Sequence, residues 1–433
     1  MNSVTLPRMK WAWLTILLAL AVLPSAASAL TIHELLEAAS RHPDVEVSEL
    51  AAQEGDLRVE QASAALYPKI SLFGKAEFYN SPTNLRPMPP TEVNVAAGDS
   101  IPFSREIMRY GLSVEAPLYV AKVYRLREKM RFLAEKSTIA HQINRISRQA
   151  AVVSLVSSTQ ALVQLKEAVD ARLKSLAATR DTVRLKVTNG RAPEAELMKI
   201  DNSVIALEQQ QNDLALKGLD LQRDLEKFTG LEVTAPVSMK LAGASQDGEL
   251  IGLKLEEAEL AAQKKEVERA RAGRYPTLSL LGSVSGNDGE AYNTDSSISR
   301  SYNFAGLVLN LPIYDRTVSA EEELARVGAR KAEKKVDETR IELIAQEKNL
   351  KARLPVVEAG LTLAERSQAN NRDLLEVARV SYASGRTTTE EYLRYEAQVL
   401  DAQAAIAKAQ DEGWQIRAKQ AVLYGTDLKG VVK

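Results

Sequence analysis

The chain has 433 residues, with 56 Lys and Arg against 57 Asp and Glu, and it contains no cysteine. This charge balance argues against nucleic acid as a partner, because phosphate binding requires clustered basic side chains. Without cysteine the chain forms neither disulfides nor thiolate metal sites, and we expect no cysteine-linked lipid anchor. Its stability must therefore come from packing.

Residues 1–29 predict a secretory signal. Basic residues precede an apolar run at residues 11–23, and a small-residue cleavage site follows at residues 27–29. The apolar run is shorter than the roughly 20 residues that a membrane-spanning helix needs, which disfavours a membrane anchor. We therefore expect an exported protein whose mature chain begins near Leu30.

The mature chain is predicted to be a tandem duplication. Residues 111–119 match residues 306–314, and the same offset continues through the rest of each half. Residues 66–72 match residues 274–280 at a larger offset, so the intervening loop is longer in the first half. Each half then predicts the same order of elements: helix, strand, loop, strand, very long helix, turn and helix.

The predicted repeats are residues 30–230 and residues 254–425, joined by a linker at 231–253 and followed by a tail at 426–433. The first repeat is predicted to contain a helix at 33–66, strands at 67–79 and 107–117, a long helix at 119–187, a tip turn at 188–193 and a helix at 194–229. The second is predicted to contain a helix at 254–274, strands at 275–285 and 300–312, a long helix at 317–383, a tip turn at 384–388 and a helix at 389–424.

The predicted strands alternate apolar and polar residues. In the first strand, Ile70 and Leu72 alternate with Lys69 and Ser71, a period of two that turns one face to an apolar medium and the other to water. Alternation alone also fits a soluble sheet, but the chain offers no segment that would cover the apolar face. Four strands cannot close into a barrel, and lipid does not tolerate open edges, so several copies must combine. Three copies would give twelve strands, within the range of bacterial barrels.

The two connections between strands are interpreted as loops at the outer mouth. The first, Asn80 to Phe103, is rich in proline, and the second, beginning at Gly286, is polar. Prolines restrict a loop without forming regular structure.

The long helices predict extended arms. Residues 119–187 contain neither Pro nor Gly and would span roughly 100 Å at about 1.5 Å per residue. Apolar residues repeat at heptad spacing, which is typical of side-by-side helix packing. In each half the two shorter helices together nearly equal the long one, so three copies would form a twelve-helix tube continuous with the barrel. Pro355 is expected to kink the second long helix.

Several short motifs follow one another in a fixed order, and all but the first occur in both halves. They are His42-Pro43, the Tyr-Pro entries to the strands within 66–72 and 274–280, the Gly-Leu to Pro-x-Tyr strand exits, and the tip turns Thr188 to Arg191 and Tyr382 to Arg386. With these motifs the mature chain resembles the TolC-like outer-membrane efflux factor family.

The resemblance implies a mixed membrane α/β protein that is predominantly helical. Three copies would form a twelve-strand outer-membrane barrel, with four strands per chain, continuous with a periplasmic α-helical barrel. Such a duct passively conducts substrate in tripartite efflux or type I secretion. Its implied partners are outer-membrane lipid, a periplasmic adaptor and an inner-membrane pump of the RND or ABC type, in a Gram-negative cell.

The resemblance places adaptor docking and a gate at the tip turns. The implied docking residues are Asn189, Gly190, Arg191, Ser384, Gly385 and Arg386. The implied gate residues are Glu196, Lys199, Tyr382, Glu391 and Arg394. Some relatives carry a further ring of Asp where this chain has Arg394 and, in the first half, Lys199, which argues against an acidic constriction.

Two interpretations of the gate residues remain open. Tyr382, Arg386, Glu196 and Glu391 would form inter-helix links that keep the entrance narrow. Alternatively, the glutamates are helix-start acids favoured by the helix dipole.

No catalytic, metal or cofactor site is predicted. The three histidines, His33, His42 and His141, lack helical metal-ligand spacing, and no Gly-rich phosphate loop is present. The alternative to a duct is a periplasmic coiled-coil adaptor, which would have one helical hairpin beside soluble β-domains; the two membrane-type strand pairs count against it. An exported enzyme or sugar-binding protein on a helical scaffold would need a catalytic constellation that the sequence lacks.

Overall fold

The computed structural model describes residues 30–233, 235–243 and 248–433. The predicted signal at residues 1–29 and part of the predicted linker lie outside the described residues. The helices are α1 Ile32–Ser40, α2 Pro43–Ala64, α3 Ala121–Thr188, α4 Glu194–Thr229, α5 Ile251–Arg271, α6 Arg316–Ala383 and α7 Thr389–Tyr424. The strands are β1 Lys69–Asn84, β2 Phe103–Val120, β3 Thr277–Glu290 and β4 Ser297–Asn310.

The predicted single helix at 33–66 is wrong, because the structure has two helices there. α1 ends at Ser40 and α2 begins at Pro43, whose ring is preorganised for the first turn of a helix and has no N–H to donate. The His42 side chain caps α2 by accepting a hydrogen bond from the Asp44 backbone N–H at 3.3 Å. By contrast, α6 continues through Pro355 without ending there.

The four strands form one antiparallel sheet in chain order. β1 extends beyond the predicted strand end, because pairing resumes at Thr83 and Ser104 after an irregularity that follows Phe78. Within the described part of the chain, the outer edges of β1 and β4 pair with no other strand.

The two faces of this sheet differ in polarity. Leu72 pairs with Leu112, which pairs with Val284, and this row of apolar side chains is exposed, Leu72 by 80%. The next row, on the opposite face, joins Ser71, Ser113 and Ser283. The alternation in the sequence thus gives an apolar face, which no described residue covers, and a polar face behind it.

The helices pack as parallel tracks beside the two long helices. α3 contacts α2, α4, α5 and α7, and α6 contacts α5 and α7. The largest apolar cluster joins α1, α3 and α7 to the segments around Val237 and Leu428, with Leu35, Leu36 and Val153 at its centre. None of the helices in the described part of the chain combines the length and the apolar character that a bilayer crossing requires.

A test of the sheet uses Gly111, where β2 and β3 approach closely. A Cβ at this position would lie 2.1 Å from the Val284 carbonyl oxygen, so backbone must shift. We expect Gly111→Ala to lower the free energy of unfolding by about 1–3 kcal/mol, the usual cost of overpacking. The measurement is thermal loss of the β-sheet infrared signal in detergent.

Gly74→Ala is the matched control on the same sheet, since a Cβ there would meet nothing within 4 Å. Its melting temperature should stay close to that of the unaltered chain, as for a typical surface substitution. Equal melting of the two variants would contradict the close approach at Gly111.

Candidate functional site

The two tip turns share one backbone geometry. Gly190 has φ of 68° and Gly385 has φ of 74°, in the left-handed region that glycine adopts without strain. The Arg191 N–H donates to the Lys186 carbonyl at 2.8 Å, and the corresponding bond at the second tip is also 2.8 Å. These are Schellman turns, which end a helix by satisfying its last carbonyls and reverse the chain.

All six residues implied in adaptor docking lie on the surface of these turns. They are Asn189, Gly190, Arg191, Ser384, Gly385 and Arg386. Within the described residues of one protomer, the guanidinium groups of Arg191 and Arg386 make no hydrogen bond or ion pair. The tip turns therefore expose two arginine side chains and part of their backbone to solvent, where a partner protein could bind them.

One chain of hydrogen bonds joins the two hairpins just above the tips. The Tyr382 hydroxyl lies 3.1 Å from the Thr389 hydroxyl, which donates to the Glu196 carboxylate at 3.1 Å. Thr389 is buried, and the Tyr382 ring stacks on Tyr392 with centroids 4.9 Å apart. Burial raises the pKa of the Tyr382 phenol, and the Glu196 carboxylate adds to this rise. The link thus connects α6, α7 and α4.

The other gate candidates have local or weak partners in the protomer. Glu391 forms a capping box with Thr388: each backbone N–H donates to the other's side chain, at 3.2 and 3.3 Å. The capping box places this carboxylate in the first turn of α7, where the helix dipole also favours a negative charge. Lys199 reaches Glu390 on the other hairpin at 3.7 Å, a pair too exposed to contribute much. The Arg394 guanidinium lies over the Tyr395 ring of its own helix, 5.7 Å from its centroid.

Sequence reasoning missed a buried polar cluster about two helical turns further from the tip than Thr389. Glu396 is only 3% exposed, and its Oε1 accepts hydrogen bonds from the Tyr392 hydroxyl at 2.7 Å and the Ser175 hydroxyl at 2.5 Å. Burial lowers the pKa of the nearby Arg172, and attraction to Glu396 and Asp401 opposes this. The sequence carried one signal: Thr389 and Glu396 lie three residues before and four residues after Tyr392, so they share its face of α7.

Comparison with known protein families finds a match to the second repeat. Residues 253–423 match the family model described as outer membrane efflux protein. The second repeat carries this family's sequence signature. The resemblance read from the short motifs is thereby confirmed, and the family is one of transport ducts. No curated protein sequence matches the chain significantly.

Solved outer-membrane channels share the fold of nearly the whole chain. The CmeC outer membrane channel of Campylobacter jejuni superposes with a TM-score of 0.75 at 15% identity, covering 92% of this chain and 85% of that chain. VceC from Vibrio cholerae gives 0.75 at 14% identity, covering 91% and 96%. The MtrE outer membrane channel of Neisseria gonorrhoeae, in its open state, gives 0.73 at 15% identity, covering 92% and 90%. The predicted fold, mostly helical with four antiparallel strands per chain, is confirmed.

A test of the buried cluster replaces its carboxylate. Glu396→Ala leaves the Tyr392 and Ser175 hydroxyls without their acceptor, which typically costs about 1–3 kcal/mol. We expect thermal unfolding, followed by helical circular dichroism of the purified protein, to occur at a lower temperature. Glu390→Ala is the control on the same helix, because that side chain is 81% exposed. Identical melting of both variants would contradict a stabilising role for Glu396.

Proposed function

We propose that three copies of this chain form an outer-membrane exit duct. The duct would pass substrate from a periplasmic helical barrel through a twelve-strand outer-membrane barrel, as part of a tripartite efflux or type I secretion system. The observation that carries the proposal is the four-stranded sheet, which among the described residues has one exposed apolar face and two unpaired edges.

The apolar face fits lipid better than water. It exposes large side chains along all four strands, including Ile70, Leu72, Met108, Val284 and Leu307. A contiguous apolar surface of this kind is rare on soluble monomers. The strands have 14 to 18 residues, which exceeds the roughly 9–11 that a tilted strand needs to cross a bilayer.

The unpaired edges fit assembly from several copies. In lipid, every backbone N–H and C=O must find a partner, so β1 of one copy would pair with β4 of the next until the barrel closes. The polar face, with its row of Ser71, Ser113 and Ser283, would then line a water-filled interior. Such an interior conducts without a catalytic step, which supports a passive duct.

The proposed partners meet the hairpin tips. A periplasmic adaptor and an inner-membrane pump of the RND or ABC type would contact the exposed turns, where Arg191 and Arg386 offer charge that the protomer does not use. The rival function, a periplasmic coiled-coil adaptor, is disfavoured by the sheet and by the likeness of 92% of the chain to an outer membrane channel.

The proposed function is tested by fractionation and electrophysiology. The full-length protein should appear in the outer-membrane fraction as a trimer that migrates faster in gels before boiling, and it should open pores in planar bilayers. A monomer released with the soluble periplasmic proteins would contradict the duct and favour the adaptor.

A further prediction concerns the gate. Tyr382→Phe combined with Thr389→Val removes the hydroxyls that join α6 and α7 to Glu196 while keeping side-chain shape. The neutral bond between Tyr382 and Thr389 contributes about 1 kcal/mol, and the bond to the Glu196 carboxylate contributes about 1.5–3 kcal/mol. Losing the first alone should shift the balance between closed and open entrances about fivefold toward open, and losing both should shift it further. Single-channel conductance in planar bilayers measures this shift.

Two controls sharpen the gate test. Tyr395→Phe removes a tyrosine hydroxyl on the same helix that lies outside this link. Glu391→Ala separates the two interpretations of that residue: a gate link predicts higher conductance, whereas the capping box predicts lower stability of α7 with unchanged conductance. Unchanged conductance in the Tyr382→Phe, Thr389→Val double variant would refute the link as a gate.

A further inference from the structure

We propose that the long outer loop of the first repeat is a folded cap that narrows the exit of the duct and limits the size of solutes that enter from outside. This inference rests on the proposed function. The outer cap comprises the loop at residues 85–102 and the β3–β4 turn at residues 291–296. It would occur once per protomer, and therefore three times around the mouth.

The cap covers the water-facing side of the sheet. Ile107 pairs with Gly289, which pairs with Ile298, and alternation along β2 places Ile107 on the same face as Ser113. Leu85 packs on Ile107 and Ile298 in a small apolar cluster, with Leu85 fully buried. On the opposite, lipid-facing side the neighbouring Met108 is 57% exposed. The loop therefore folds inward over the interior of the barrel and leaves the lipid-facing side bare.

Arg109 fixes the base of the cap to three strands. Its guanidinium donates to the Leu85 carbonyl at 2.6 Å and to the Asn84 carbonyl at 3.2 Å, where the chain leaves β1. It also donates to the Glu77 carboxylate at 2.7 Å and to the Asn287 side-chain oxygen at 3.1 Å. Bonds from a charged donor are stronger than neutral ones, so the loop is held at its point of entry.

A second set of bonds joins the loop to the β3–β4 turn. The Asn293 side chain accepts from the Ile101 N–H at 2.8 Å and donates to the Asp99 carbonyl at 3.0 Å. The Ser100 hydroxyl lies 2.9 Å from that of Thr294 and 2.8 Å from that of Ser296. The loop is therefore a folded unit built from both repeats.

The composition of the loop supports this fixed geometry. Its prolines restrict the backbone, and an ion pair between Arg86 and Glu92 closes its first part. The second repeat has only a short turn at the matching place, so the extra residues of the first repeat supply the cap. A loop held in one conformation would keep the mouth of the barrel narrow at all times, whereas a mobile loop would narrow it only part of the time.

The absence of native cysteine allows a direct test. Ser71→Cys places one thiol on the exposed, water-facing side of β1, deeper in the barrel than the cap. Intact cells are treated from outside with either a small, membrane-impermeant maleimide or a maleimide carrying a long polyethylene glycol chain. With the cap present, the small reagent should label Ser71→Cys and the large reagent should not.

Shortening the cap should admit the large reagent. The Leu85 N–H donates to the Pro102 carbonyl at 2.9 Å, so the ends of the loop already meet and two glycines can replace residues 86–101. The large maleimide should then label Ser71→Cys at least about tenfold faster, because passage depends steeply on pore width. Equal labelling by the large reagent with and without the cap would overturn the proposal.

Point variants keep the test valid if the shortened chain fails to assemble. Leu85→Asp places a charge in the apolar cluster and should also admit the large reagent, whereas Thr91→Asp adds the same charge at an exposed position of the loop and should not. If both or neither of them admit it, the cap is refuted.

Ala96→Cys, exposed on the cap itself, should react with both reagents in the chain with the full-length loop and in both point variants. Its failure to react would overturn the proposed outer-membrane duct and the cap with it, which distinguishes that result from failure of the cap alone.

Discussion

The unpaired edges of the sheet are the constraint from which the rest of the structure follows. β1 and β4 each present a row of backbone donors and acceptors that the protomer leaves unpaired within its described residues. Beside an apolar face such as that around Leu72, those groups have no water to bind once the face enters lipid. Under the proposed function, closure with other copies would satisfy both features, because four strands alone leave open edges.

The long helices continue directly from the strands of the sheet, and ion pairs below the sheet hold neighbouring helices together. β2 ends at Val120 and α3 begins at the next residue, so the strand direction passes directly into the long helix. Below the sheet, Lys129 pairs with Glu266 at 3.1 Å, which ties α3 to α5. Three arginines of α5, the following turn and α6 surround the buried Glu322. These partly buried ion pairs fix the helix tracks where a tube would join a barrel.

The sequence predicted the repeating plan better than the side-chain partners. Period-two alternation and the constant offset identify the strands and tips because both depend on local pattern alone. The break between α1 and α2 could also have been predicted from the sequence. Pro43 has no N–H to donate, so a preceding helix does not continue through it. The capping box of Thr388 and Glu391 is a local motif of the same kind. The bond from Thr389 to Glu196 was not predictable, because it depends on which helices become neighbours.

Both ends of the protomer are held by polar bonds between repeats. At the outer end Arg109 of the first repeat binds Asn287 of the second, and near the tip Ser175 of the first binds Glu396 of the second. The two repeats would separate most easily at the interface between them, and these bonds cross that interface. Separation of α7 from α3 near the tip would break the Ser175 bond and expose a buried carboxylate. Under the proposed gate, this cost would add to that of breaking the bond from Thr389 to Glu196.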